Sequence, residues 1–204
     1  MIREALGKDV VVIDNALPKE LFKHLKNQII DYRFPWHHVY NSAFVEQSEY
    51  INNGKANNIY DYSFAHIAYE NFTVTSQIYD LSYAALLCAL SKVNLEISRL
   101  FRIRLGMHTP SKELMINDPH VDNDHPHIAG LLYLNECDAD TYFFNQRWNG
   151  KRQQYEEEDF DRELIAQIKP KENRFVFFDG TMYHSSSRQT NTSQRIVINY
   201  NFEI

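Results

Sequence analysis

From Gln194 to Ile204 the chain alternates without a break. Ile196, Ile198, Tyr200 and Phe202 share one face of an extended segment, and Arg195, Val197, Asn199 and Asn201 share the other. A strand patterned this way needs an apolar layer against its first face. Its second face is not an ordinary core, because a guanidinium buried among apolar groups is costly unless an anion neutralises it. Either a core Asp or Glu pairs with Arg195, or the strand lines a cavity that takes up an acidic ligand, for which the planar arginine fork suits a carboxylate.

Upstream residues supply a second polar cluster. In His120-Val121-Asp122 an imidazole and a carboxylate stand two apart, so on an extended segment both point the same way and reach a common metal from one strand or strand end. The best candidate for a third ligand is His184. It follows the apolar run Arg174-Phe175-Val176-Phe177-Phe178 and the Asp179-Gly180 turn, which places it at the mouth of a neighbouring strand, and a polar loop from Ser185 to Ser193 is expected after it. Two imidazoles and one carboxylate hold iron(II) on one face and leave the opposite face open for a chelating ligand and dioxygen.

In this order the motifs resemble the iron(II)- and 2-oxoglutarate-dependent dioxygenases, specifically the prolyl 4-hydroxylase-like branch. The residues that carry the resemblance are His120-Val121-Asp122, Leu132-Tyr133-Leu134-Asn135, Thr141-Tyr142-Phe143-Phe144, Lys169-Pro170-Lys171 with Arg174 to Gly180, Tyr183-His184, and Arg195. They run from about Arg99 to the C-terminus, about half the chain. The resemblance implies a mainly β fold, a double-stranded β-helix (jelly-roll, cupin-like) core supported by N-terminal α-helices. It implies iron(II) held by His120, Asp122 and His184, with 2-oxoglutarate as cosubstrate and ascorbate as an optional reductant. Arg195 would bind the far carboxylate of 2-oxoglutarate, and Tyr133 would donate its hydroxyl to the same carboxylate. Tyr133 fits on pattern as well, because Ala129, Leu131 and Tyr133 share a strand face while Leu132 and Leu134 take the other. The implied reaction is hydroxylation of an unactivated C–H bond, of a prolyl, peptidyl or amino-acid substrate, with release of succinate and carbon dioxide. Asn199, facing inward, is expected to shape the reacting side of the pocket.

The chain departs from the family pattern in two places. Asp138-Ala139-Asp140 replaces the usual glycine pair before the threonine strand. The segment from Asn145 to Ile168 reads as an insertion, with Trp148 as a candidate substrate contact and the acidic run Glu156-Glu157-Glu158-Asp159. Leu164, Ile165 and Ile168 after that run predict a short amphipathic helix lying against the barrel. His125-Pro126-His127 offers a competing, cupin-like HxH metal set, but the next acidic residue, Glu136, is too far along. Asp124 to His127 reads better as a loop between strands, near the site entrance.

The 204 residues are enough to bury a sizeable core, and no linker, repeat or low-complexity tract divides them. One domain over 1–204 is therefore expected, with helical support and substrate loops in 1–98 and the catalytic core in 99–204. Asn52-Asn53-Gly54 reads as a turn. Cys88 and Cys137 match no metal or redox spacing. With no cleavable hydrophobic leader and no apolar stretch of membrane-spanning length, a cytoplasmic setting without a membrane partner is expected.

In the first half, Val10-Val11-Val12-Ile13 predicts a strand. A helix introduced by Asn15 and Pro18 follows, with Leu21, Phe22, Leu25 and Ile29 as its buried stripe. A longer helix is predicted from about Ser76 to Leu100 on the spacing of Ile78, Leu81, Ala85, Leu86, Leu90, Val93, Ile97 and Leu100. Both helices would cover the Ile196, Ile198, Tyr200 and Phe202 face of the terminal strand. Between them, Phe34 to Tyr40, then Tyr50, Tyr60, Tyr62, Phe64 and His66, read as long aromatic loops whose rings either contact substrate or pack a lid onto the core. Neither helix shows a dimerisation seam.

A net charge of -6 without a basic stripe argues against a nucleic-acid partner. A small-molecule or peptidyl substrate remains. The other reading is a non-catalytic jelly-roll or cupin-type binding module, which fold alone does not separate from an enzyme. The complete set of three ligands plus Arg195 favours catalysis.

Overall fold

The computed structural model describes residues 2–39, 62–117, 119–150 and 163–204. In chain order the elements are α1 (Ile2–Leu6), β1 (Val10–Ile13), α2 (Lys19–Ile30), β2 (His37–Val39), β3 (Ser63–Glu70), β4 (Thr73–Val74), α3 (Tyr79–Ser91), β5 (Arg99–His108), β6 (Met115–Ile116), β7 (Ile128–Tyr133), β8 (Thr141–Arg147), β9 (Leu164–Ile168), β10 (Arg174–Asp179), β11 (Met182–Arg188) and β12 (Arg195–Glu203).

Two antiparallel sheets form the expected double-stranded β-helix. The larger runs β1-β10-β7-β12-β5-β3-β2, with β4 added beside β3, and the smaller runs β6-β11-β8-β9. The terminal strand β12 is central, paired with β5 on one side and β7 on the other. Its alternation separates two cores. Ile196, Ile198, Tyr200 and Phe202 join Phe22, Leu25 and Ile29 of α2 and Ala85, Leu86 and Leu90 of α3 in the outer layer. Tyr200 also donates its hydroxyl to the Ser82 carbonyl at 3.0 Å, which ties α3 to the sheet. Between the sheets a smaller cluster forms from Ala129, Leu131 and Tyr133 of β7, Phe143 of β8, Val176 and Phe178 of β10, and Met182 of β11.

Asn173 pins α2 to the barrel. Its side-chain amide donates to the Leu17 carbonyl and its side-chain carbonyl accepts from the Leu17 N–H, each at 2.9 Å, immediately before Pro18 starts the helix. Proline suits that place because the first helical turn has no use for its missing N–H.

Four sequence expectations are corrected. The helix predicted from Ser76 to Leu100 covers only Tyr79–Ser91. Asn94 adopts a left-handed φ of 54°, and the Leu95 N–H reaches back to the Leu90 carbonyl at 3.2 Å, a left-handed cap that turns the chain out of the helix. Leu100 then belongs to β5. The amphipathic helix predicted around Leu164, Ile165 and Ile168 is instead the edge strand β9, paired with β8. A five-residue segment has little helical stability of its own, whereas the open edge of β8 offers it a ladder of hydrogen bonds. Tyr62, Phe64 and His66, read as loop, lie at or in β3, and His37–Val39 is the strand β2 beside it. The loop expected from Ser185 begins later, because β11 continues through Arg188. Tyr40, Tyr50, Tyr60, Asn52-Asn53-Gly54 and the acidic run at Glu156 lie outside the described residues. No helix among the described residues is long and apolar enough to cross a membrane.

Candidate metal and anion site

The smaller sheet and the chain entering the barrel before β7 bring His120, Asp122 and His184 together. Their ligand atoms all lie within 4.8 Å of one another, a spacing that suits a single metal ion. His120 and His184 exchange both backbone N–H to carbonyl bonds, each at 2.9 Å, so a short bridge locks one ligand directly opposite the other. The imidazole centroids are 4.7 Å apart. Asp122 sits two residues beyond His120, at the strand end as its spacing required. His184 lies inside β11 rather than at its mouth.

Each ligand is oriented by a neighbour. The His184 Nδ1 lies 3.2 Å from the Met182 carbonyl, the arrangement that puts the proton on Nδ1 and leaves Nε2 to coordinate. That Nε2 is 3.9 Å from Asp122 Oδ2. Asp122 Oδ2 accepts from both Asn199 Nδ2 and Asn201 Nδ2 at 2.9 Å, while Arg102 approaches Oδ1 at 3.3 Å. Phe143 and Phe178 pack against the His184 ring.

The electrostatics favour the protonation states a metal needs. Burial alone would raise the Asp122 carboxyl, but its coupling to His184, Arg102 and His120 and the Asn199 hydrogen bond outweigh it and hold the group well below the usual carboxylate range. Burial pushes His184 down to about 4, with the His120 charge adding to it and Asp122 opposing it, so the imidazole is neutral at ordinary pH. A neutral His184 imidazole and an ionised Asp122 carboxylate, with the His120 ring beside them, fit a divalent metal of the iron type.

Arg195 lies farther along the same face of β12 and is only 3% exposed. Its Nε donates to the Ala139 carbonyl at 3.1 Å and its NH2 group to Thr141 Oγ1 at 2.9 Å. No described carboxylate lies within ion-pair distance, which removes the reading in which a core Asp or Glu satisfies it. Tyr133, fully buried, places its hydroxyl 2.6 Å from the same Thr141 oxygen, and its ring lies 5.6 Å from the guanidinium. The expected partners therefore meet at Thr141, which in turn takes both groups. Burial raises the Tyr133 pKa, opposed by Arg195, so the phenol keeps its proton and can donate it in a hydrogen bond.

His125 and His127 do not join the cluster. His127 is buried with its Nδ1 2.8 Å from the His125 carbonyl, and His125 packs on Phe101. Among the described residues the metal-compatible group is His120, Asp122 and His184. Lys171 is bound to Asp14 at 3.1 Å and takes no part. Trp148 contributes a backbone bond to Thr181 at 2.7 Å.

Several site residues were not singled out from sequence. Asn201 and Thr141 were visible only as members of strands. Arg102, Arg104 and His108 lie past the end of the predicted helix, which overlaps β5 only at Arg99 and Leu100. The alternation of Arg102, Arg104 and His108 with Ile103, Leu105 and Met107 is the signal that identifies their inward face.

No family model matches the sequence, and no curated protein matches it. Solved structures do match over almost the whole chain. A prolyl hydroxylase from Trichoplax adhaerens, in complex with a hypoxia inducible factor oxygen degradation domain peptide, aligns with a TM-score of 0.63 at 16% identity, covering 100% of this chain and 88% of that one. A prolyl-4-hydroxylase from Pseudomonas putida gives 0.61 at 13%, covering 98% and 96%. HygX from Streptomyces hygroscopicus, with nickel, 2-oxoglutarate and hygromycin B bound, gives 0.58 at 9%, covering 99% and 84%. The chain has the fold these oxygenases share.

Proposed function

We propose that this protein is an iron(II)- and 2-oxoglutarate-dependent dioxygenase that hydroxylates an unactivated C–H bond. The observation that carries the proposal is the conjunction, in one cavity, of a two-histidine, one-carboxylate cluster with a buried arginine that no described carboxylate neutralises. His120, Asp122 and His184 would hold the metal. Arg195 would take the far carboxylate of 2-oxoglutarate, with Thr141 fixing its guanidinium and Tyr133 close by. Once bound, iron and 2-oxoglutarate supply the oxidative chemistry: dioxygen, 2-oxoglutarate and substrate become succinate, carbon dioxide and hydroxylated substrate.

The protein's own part is placement and exclusion of water. Asn199, Asn201 and Arg102 hold Asp122 as an anion in one orientation, and Met182 fixes the His184 tautomer. Phe143, Phe178, Leu131 and Val176 make the neighbouring wall apolar, which keeps water from competing at the reacting centre. Specificity then comes from the cavity's shape and charge.

The molecules bound in the matched structures, a peptide in one and hygromycin B in another, support an organic substrate without choosing between peptidyl and small-molecule classes. Ascorbate would serve as reductant, and a cytoplasmic setting fits the free thiols Cys88 and Cys137. The binding-module alternative gives no reason for two histidines, an ionised aspartate and a buried arginine without a described carboxylate partner to be assembled together.

Turnover tests the proposal. The iron-loaded protein should convert 2-oxoglutarate to succinate with consumption of dioxygen, slowly without substrate and faster with it. Asp122→Ala should abolish this while keeping the fold. Equal succinate from wild type and variant would remove the ligand assignment.

A further inference from the structure

Arg104 lies on β5 between Asn199 of β12 and Ile67 of β3, on the barrel's inner face. It is thus one strand away from the asparagine that holds Asp122. Its neighbours on that face are committed elsewhere: Arg102 binds Asn201 and Asp122, and Arg195 binds Ala139 and Thr141. Arg104 has no hydrogen-bond or ion-pair contact with any described residue, and Asp122 and Glu70 act on it only at longer range. Burial, with Arg102 alongside, lowers its guanidinium to about 10.

Space is left for a ligand beside it. Gly106, two residues along the same face, has no side chain, and a methyl group there would meet only Val197 at 3.8 Å and the Arg104 NH1 nitrogen at 4.0 Å. The Arg104 NH1 nitrogen therefore lies beside the bare backbone of Gly106, with Val197 next to it. Half-buried on this inward face and without a partner among the described residues, the guanidinium is free to take a ligand.

Charge balance says which ligand. In the proposed reaction one end of 2-oxoglutarate goes to the metal and the other to Arg195, so neither carboxylate is left for Arg104. Asp122 is already shared among the metal position, Arg102 and the two asparagines, so no described carboxylate on this face is left for Arg104.

We propose that Arg104 binds a carboxylate of the primary substrate, which rests on the assignment of Arg195 and the metal to 2-oxoglutarate. The anchor is half-buried on the barrel's inner face, across the ladder from Asn199, which binds Asp122. The substrate's carboxylate must then lie close to the carbon that is oxidised, as in a free amino acid or an acidic side chain. The middle of a neutral prolyl peptide has no such group.

The test uses the protein loaded with zinc(II), as a redox-inert stand-in, and 2-oxoglutarate. It is titrated with three panels: the common free amino acids, their C-terminal amides, and blocked aspartyl and glutamyl residues. Binding is followed by the arginine Nε–H resonances in nuclear magnetic resonance spectra, with that of Arg104 identified by its loss in Arg104→Gln. At least one acid should shift this resonance and bind about tenfold or more tightly than its amide, which corresponds to about 1.4 kcal/mol. Free amino acids responding would point to a metabolite, and blocked acidic residues to a peptide. Arg104→Gln should erase the preference for acid over amide, Arg104→Lys should restore part of it, and the affinity for 2-oxoglutarate should stay within about twofold. If no acid moves the Arg104 resonance, or if Arg104→Gln weakens 2-oxoglutarate instead, the proposal is overturned. Should 2-oxoglutarate fail to bind the wild type at all, it is the oxygenase assignment that falls.

Discussion

Arg102 and Asp122 meet at 3.3 Å inside the barrel, and Asn201 closes the contact into a triangle by accepting from Arg102 Nε at 3.0 Å and donating to Asp122 Oδ2 at 2.9 Å. Arg102 and Asn201 face each other directly across β5 and β12, so the sheet register itself sets the carboxylate's direction. Groups that orient a ligand in this way typically govern metal affinity by about 10–100-fold. Asn201→Leu should therefore weaken metal binding by that factor, read as a dissociation constant for iron(II) or zinc(II). An unchanged constant would show that the triangle is structural only.

Thr141 joins Arg195 and Tyr133, and the anion anchor should depend on all three unequally. Arg195→Leu removes the charge itself and should raise the half-saturating concentration of 2-oxoglutarate by roughly 10–100-fold, the value of hydrogen bonds to a charged group. Thr141→Val should give a smaller rise, because the guanidinium keeps its bond to Ala139. Lys171→Ala should give none. A larger effect from Lys171 than from Arg195 would relocate the anchor.

His184 makes the stability of the metal-free protein depend on pH. Its ordinary pKa of 6.5 falls to about 4 in the folded state, chiefly through burial. Below pH 6.5 the unfolded chain takes up a proton that the folded chain refuses, so stability is full above that value and declines as pH drops toward 4. The loss from this group is on the order of 3 kcal/mol. Urea midpoints measured across the window should fall more steeply for the wild type than for His184→Gln. Parallel profiles would mean that His184 is not buried as a neutral imidazole.

Gly180 lies between β10 and β11, where a β-carbon would come within 2.3 Å of His127 Nε2. The His127 ring is buried and held by the His125 carbonyl, so it has little room to yield. Gly180→Ala should cost about 1–3 kcal/mol. Gly106→Ala meets only ordinary contacts and serves as the control. Equal melting temperatures for the two variants would contradict the packing of His127 on this turn.

What could be read from sequence was what alternates or repeats locally. The two faces of β12, the shared face of Ala129, Leu131 and Tyr133, and the stripe of α2 all follow from period-two or helical spacing, and each packs as its pattern required. His120, Asp122 and His184 were identified because their spacing and order carry chemistry. Partners set by register were not visible. Nothing local in Asn201 or Arg102 indicates that they meet across two strands 99 residues apart in sequence. The failure at Ser76 to Leu100 is of another kind: apolar residues continue at helical spacing through Val93 and Ile97, and only the left-handed Asn94 marks the end. In β9 an apolar pair after an acidic run resembled a helix, while the decisive factor was the unpaired edge of β8.

The most direct test of the central claim is an anaerobic spectrum. Iron(II) is added to the purified protein, then 2-oxoglutarate, and the weak visible metal-to-ligand charge-transfer band of a chelated 2-oxo acid is sought, with Asp122→Ala as control. The band should appear in the wild type and be absent from the variant. Its absence from both would contradict an oxygenase site and leave a jelly-roll barrel that binds without turnover.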